Sequence, residues 1–148
     1  MTNTALEAAS KRRKELYDAM VAVEHAAQRP AKTDAWHEEL VAALQRVAAA
    51  FKAHVVATED PDGIIAQIVT DAPRLANEAE RLGAEHPVLE DRISNVAAKV
   101  KAAGIPDKVR VIELREDILG LLGALSLHRS AGSDFVWDAY AVDIGGYG

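Results

Sequence analysis

The chain has 148 residues, a length that suits one domain with one core, and a formal net charge of −6. That charge argues against a basic nucleic-acid-binding surface. The absence of cysteine excludes disulfides, iron–sulfur clusters, thiolate zinc and a cysteine nucleophile. An alanine-rich chain with 5% aromatics favours close-packed helices over a sandwich or barrel.

Thr4-Ala5-Leu6-Glu7 has the form of a capping box and predicts a first helix from about Ala5 to Arg29, with Leu6, Ala9, Leu16, Met20, Val23 and Ala27 inward and Pro30 as the stop. Within it the basic run Lys11-Arg12-Arg13-Lys14 reads as a solvated face. Thr33 or Asp34 caps a second helix, which carries Trp36 through about Ala57, and Glu59-Asp60-Pro61-Asp62-Gly63 is a turn cluster. Ile64 to Val69 predicts a short helical continuation. The third long helix runs from about Pro73 to Ala103. Gly83 and Pro87 inside it predict a kink or brief break around His86, because proline removes a backbone donor and clashes with the carbonyl four residues back. Gly104-Ile105-Pro106-Asp107 is a stop followed by a start. A fourth helix follows from about Asp107 to Ser130. Ala131-Gly132-Ser133-Asp134 predicts an interruption, then a last turn or two from Asp134 to Ala141 and a glycine-rich tail from Asp143.

The predicted fold class is all-α: a single-domain, antiparallel up-down four-helix bundle with a short extra helix after helix two and a short C-terminal helix. No apolar run approaches the ~18 residues that span a bilayer, and the N-terminus shows no apolar signal region. The expectation is a cytoplasmic protein that engages neither membrane nor nucleic acid, with its oligomeric state left open.

The placing of the five histidines points to function. The stripe Leu40, Leu44, Val47, Phe51 extends three residues to His54. Leu75, Ala79, Leu82 extends four to His86 and continues through Leu89, Ile93, Val96 and Val100. Val111, Leu114, Ile118, Leu121, Leu125 extends three to His128. Steps of three and four mark the face of a helix that looks into a core. A neutral imidazole there needs a partner for each nitrogen, and a metal ion is one such partner. His25 falls at the edge of the first helix's apolar face. His37 is roughly 25 Å from His54 along one helix and reads as structural. Glu59, Glu90 and Asp134 are the carboxylates placed to complete a site. A donor set of imidazole and carboxylate suits iron, manganese or zinc, and non-haem iron best within a bundle.

These segments resemble the hemerythrin family, also called the HHE cation-binding domain, from about His25 to Tyr140. The matching pieces are Val23-Glu24-His25, Phe51-Lys52-Ala53-His54 through Glu59, Leu82-Gly83-Ala84-Glu85-His86, Leu125-Ser126-Leu127-His128 and Asp134-Phe135-Val136-Trp137. The resemblance implies two non-haem irons among four helices, bridged by two carboxylates, and binding of O₂, peroxide or nitric oxide. Three positions depart from it. The family's bridging glutamate position is Thr58, with Glu59 one further on. Its bridging aspartate position is Ser133, with Asp134 one further on. Its second helix-three histidine is Glu90. One extra residue turns a helix by about 100°, which a π-bulge would absorb. With bulges, the resemblance implies a di-iron site of His25, His54, Glu59, His86, Glu90, His128 and Asp134. Without them it leaves one metal or none. The readings compared are therefore a metal and small-oxidant binder and, as the alternative, a metal-free bundle acting as an interaction module. Nothing in the spacing favours haem, and no general acid or base for an organic substrate stands out.

Overall fold

The computed structural model describes residues 3–32 and 34–143, and every regular element among them is helical. The elements are α1 (Thr4–Gln28), α2 (Asp34–Glu59), α3 (Ile64–Asp71), a short 3-10 turn (Pro73–Leu75), α4 (Ala76–Ala103) and α5 (Lys108–Asp143). The all-α class holds. Thr33, offered as a helix cap, and the tail from Ile144 lie outside the described residues.

Three local expectations change. The cap of α1 is Asn3 rather than Thr4: its side chain accepts from the Leu6 backbone N–H at 3.0 Å, and its amide donates to the Tyr140 hydroxyl at 2.8 Å. α4 runs unbroken through Pro87. The carbonyl that proline crowds belongs to Gly83, whose missing side chain leaves open space, and Pro87 itself is on the exposed face of the helix. α5 runs unbroken through Ala131–Asp134, so there is no separate C-terminal helix among the described residues. Its buried stripe continues from His128 through Phe135 and Ala139, and burial of Phe135 outweighs the weak helix preference of Gly132.

The long helices contact one another in a bundle-like ring, α1 with α2, α2 with α4, α4 with α5 and α5 with α1. Side chains on neighbouring helices satisfy the last backbone carbonyls. Arg115 of α5 donates to the carbonyls of Ala27 and Arg29, both at 2.9 Å, and His37 of α2 donates to that of Val100 at 3.0 Å. Gly104, at φ 61°, closes α4 in a conformation that disfavours any residue with a Cβ.

The core has two parts. The larger joins Leu16, Leu40, Leu44, Phe51, Ile93, Leu114, Leu121 and Leu125 from the four long helices. The smaller joins Ile64, Ile68 and Leu75 with Leu82 of α4 and Phe135 and Ala139 of α5. Asp34–Asp71 contains a stretch long and apolar enough to cross a membrane by length and composition, which corrects the sequence expectation. In the fold its large apolar residues Leu40, Leu44, Val47 and Phe51 line the main core, while alanines such as Ala42, Ala48 and Ala49 raise the average from exposed positions.

The continuity of α4 and α5 can be checked at their glycines. A Cβ at Gly83 or Gly132 would meet no atom within 4 Å, whereas at Gly63 it would lie 2.6 Å from the Ala57 carbonyl oxygen. Gly83→Ala and Gly132→Ala should each stabilise the protein by about 0.5–1 kcal/mol in urea unfolding. Gly63→Ala should destabilise it. A loss of stability in Gly132→Ala would mean that α5 breaks there.

Candidate metal centre

His54, His86 and His128 come from α2, α4 and α5, and each occupies an inward position of its helix's apolar stripe. Contacts elsewhere on the helices set the level at which they meet. His37 holds the end of α4 at Val100, and Lys99 of α4 reaches Asp117 of α5 at 3.3 Å. His54 lies 17 residues beyond His37 and His86 lies 14 before Val100. His128 lies 11 beyond Asp117. At 1.5 Å per residue the paths of each contacting pair match to within about 5 Å, the rise of just under one turn.

One nitrogen from each ring falls within 4.8 Å of the other two, and all three rings are buried. The ring centroids are 5.0–5.5 Å apart, with Phe51 standing 5.7–5.9 Å from each as a floor. The trio lies where the two cores meet, between Phe51 of the larger and Leu82 and Phe135 of the smaller.

The hydrogen bonds define the chemistry. His86 donates from Nδ1 to Glu59 Oε1 at 2.8 Å, and His128 donates from Nδ1 to Glu85 Oε1 at 2.6 Å. Both carboxyl groups are about half exposed and reach in from the surface. A carboxylate on Nδ1 fixes the tautomer that leaves Nε2 with its lone pair, the arrangement found behind metal-bound histidines. Nε2 of His54 and Nε2 of His128 are 3.2 Å apart. Two nitrogens about 2.0–2.1 Å from one tetrahedrally coordinated ion are separated by about 3.3 Å, so this pair already has ligand spacing. His54 Nδ1 is buried without a partner, and His86 Nε2 makes no hydrogen bond among the described residues.

Burial holds His54 and His128 neutral. The His54 pKa is lowered from 6.5 to about 3, first by desolvation and then by the neighbouring charges of His128, His86, Arg129 and Arg13. Desolvation also lowers that of His128, with the Glu85 hydrogen bond opposing it. Neutral imidazole is the form that ligates metal.

A cavity of about 90 Å³ opens beside the rings. Leu6, Ile64, Ile65, Leu82, Phe135 and Val136 supply most of its wall, and Arg13 of α1 also lines it. Arg13 therefore faces inward, which corrects the reading of Lys11–Lys14 as a uniformly solvated face. Thr58 also lines the cavity, but its hydroxyl donates to the His54 carbonyl at 2.9 Å.

Of the seven residues expected at the metals, the structure brings together His54, His86 and His128, with Glu59 hydrogen-bonded to His86. It places His25, Glu90 and Asp134 at exposed positions outside this cluster. His25 sits in the last turn of α1, while α1 meets the cavity through Leu6, Ala9, Ser10 and Arg13, at least 12 residues or roughly 18 Å earlier. Asp134 stays exposed because α5 remains regular α-helix there, with no π-bulge among the described residues to turn it inward, and Glu90 stays exposed because the buried stripe of α4 steps three residues from His86 to Leu89 and leaves the fourth outside. Glu85 is the partner that the sequence did not reveal. It adjoins His86 in the chain, yet its hydrogen bond crosses to α5. No family model, curated protein or solved structure matches the chain.

The buried neutral state of His54 has a measurable sign. The unfolded chain protonates this histidine below pH 6.5 and the folded chain only near pH 3. The unfolded state therefore binds more protons in that window, and acidification destabilises the metal-free protein. Between pH 7.5 and pH 5, wild type should lose about 2 kcal/mol more than His54→Leu in urea unfolding, since each pH unit below 6.5 contributes up to about 1.4 kcal/mol. Parallel pH profiles for the two proteins would show that His54 is not held neutral.

Proposed function

We propose that the chain is a hemerythrin-like, antiparallel up-down helical bundle of the cytoplasm. In this reading it holds one non-haem iron through His54, His86 and His128 and offers an open position to O₂, peroxide or nitric oxide. The bundle topology is supported by the contact ring and by the end-to-end pairs Asn3–Tyr140, His37–Val100 and Lys99–Asp117. A single rather than a paired ion is favoured because His25, Glu90 and Asp134 are exposed away from the imidazoles.

One observation carries the metal reading. Three buried imidazoles present six nitrogens, and protein groups outside the trio satisfy only two of them, the Nδ1 atoms facing Glu59 and Glu85. A cation meeting the three inner nitrogens would remove the need for the weak His54–His128 contact and give His86 Nε2 a partner. The charge also balances: three neutral ligands backed by two carboxylates match a divalent ion. Iron is preferred over zinc on the resemblance to the hemerythrin family, because imidazole donors serve both. When bound, such an ion supplies an open coordination position for a small ligand. The protein's own groups orient the rings, hold them unprotonated and surround the position with apolar side chains.

Protein purified from iron-supplemented cells should contain about one iron per chain by plasma mass spectrometry. His54→Ala, His86→Ala and His128→Ala should each abolish it, whereas His25→Ala, Glu90→Gln and Asp134→Asn should leave it unchanged. Glu59→Gln and Glu85→Gln should each weaken metal affinity about 10- to 100-fold. Near two irons per chain would overturn the single-ion assignment. Zinc in place of iron would keep the ligands and overturn the small-oxidant role. No metal after anaerobic reconstitution would favour the metal-free interaction module.

A further inference from the structure

Arg13 is the half-buried member of the basic run that lines the cavity, and its charge has no ion-pair partner among the described residues. Arg12 pairs with Glu15 and Lys14 with Asp18, each at 2.9 Å, and these contacts occupy the carboxylates nearest in sequence. Arg13 turns half-buried into the cavity wall, and among the described residues it has no carboxylate partner. A second guanidinium stands near it. Arg129, next to His128 on α5, has its Nε buried without a partner and its guanidinium carbon 4.9 Å from the Tyr17 ring centroid. Tyr17 lies one helical turn beyond Arg13 on α1, so the two cations sit on neighbouring positions of the same helix surface.

Two part-buried like charges with no carboxylate partner among the described residues are unfavourable, and more conspicuous in a chain of net charge −6. The two acids that reach the imidazoles, Glu59 and Glu85, are hydrogen-bonded to His86 and His128, and no ion pair joins either of them to an arginine among the described residues. Apart from the imidazoles, Ser10 and Thr58, the remaining wall is apolar, through Leu6, Ile64, Leu82, Phe135 and Val136. At about 90 Å³ the cavity is smaller than the roughly 150 Å³ void that admits benzene, so it takes only a few heavy atoms.

The geometry points to a binding site for a short aliphatic monocarboxylate, two to four carbons long, with its carboxylate on the Arg13 guanidinium and its tail against the apolar wall. Guanidinium and carboxylate match as a bidentate pair, and Arg129 adds positive potential without contact. The site shares the cavity with the imidazoles but does not depend on the metal reading, because Arg13 and the wall are present in the metal-free chain.

The test uses metal-free protein and butyrate at pH 7.5, followed by calorimetry and ligand-observed NMR. Butyrate should bind, butyramide of the same shape should bind at least tenfold more weakly, and excess chloride should not displace butyrate. Arg13→Met keeps the apolar stem and removes the charge, so it should weaken butyrate at least tenfold with an unchanged helical circular dichroism spectrum. Arg13→Lys should fall between that variant and wild type, since it keeps a charge but loses the fork. No butyrate binding up to about 10 mM, equal affinity for butyramide, or unchanged affinity in Arg13→Met would each overturn the assignment. Because no metal is present, each of these results is independent of the iron content of the wild-type protein.

Discussion

Three imidazoles must share one dry seam, and much of the surrounding structure can be read as the consequence. An apolar interior does not tolerate protonated histidine, so desolvation keeps His54 and His128 neutral. Neutral rings still carry polar nitrogens, and Glu59 and Glu85 take the outer N–H of His86 and His128 from half-exposed positions. That arrangement keeps the negative charge solvated while its hydrogen bond enters the core. It also leaves the inner nitrogens facing one another, which is unfavourable unless something positive or hydrogen-bonding lies between them.

The two-part core explains why the seam lies where it does. The larger cluster is assembled by the four long helices and closes under the rings at Phe51. The smaller one needs α3, the turn after it and the last part of α5 to cover the other side. Phe135 joins the site to this cover. Had α5 ended near Ser130, Phe135 and Ala139 would not be carried on the same helical stripe as His128, and the rings would open to water. Continuity of α5 is therefore a condition for a dry site as well as a detail of secondary structure.

The displaced acids acquire a physical meaning in this setting. With regular helix and no bulge, a one-residue shift changes the direction of a side chain by about 100°. For Asp134 that leaves a solvated surface carboxylate. For Glu59, at the last residue of α2, the side chain reaches His86 Nδ1 and orients a ring from behind. Negative charge thus lies behind the imidazoles, while Arg13 lines the cavity beside them and Arg129 lies near His54. This polarity of charge across a few ångströms distinguishes the site from a symmetric cage of bridging carboxylates.

How much was legible in the sequence follows from what each signal encodes. Steps of three and four are a property of one helix, so the inward direction of His54, His86 and His128, the all-α class and the positions of α1, α2 and α3 could be read directly. The breaks predicted at Pro87 and Gly132 were local preferences, and burial of Leu89, Ile93 and Phe135 around them overrode those preferences. His25, Glu90 and Asp134 drew attention by resemblance and spacing, yet spacing along one helix cannot say which end of it reaches a site. Glu85 carried no periodic signal, because it acts across a gap between helices, whereas Arg13 does fall on the stripe of α1, four residues after Ala9 and three before Leu16, where its charge and its place in a basic run read as a solvated face. The sequence by itself determined which side chains look inward, since that depends only on helical periodicity. Only the tertiary structure decided which of them meet, which carboxylates stand behind them and which charge is left unanswered, because these depend on the register between helices far apart in the chain.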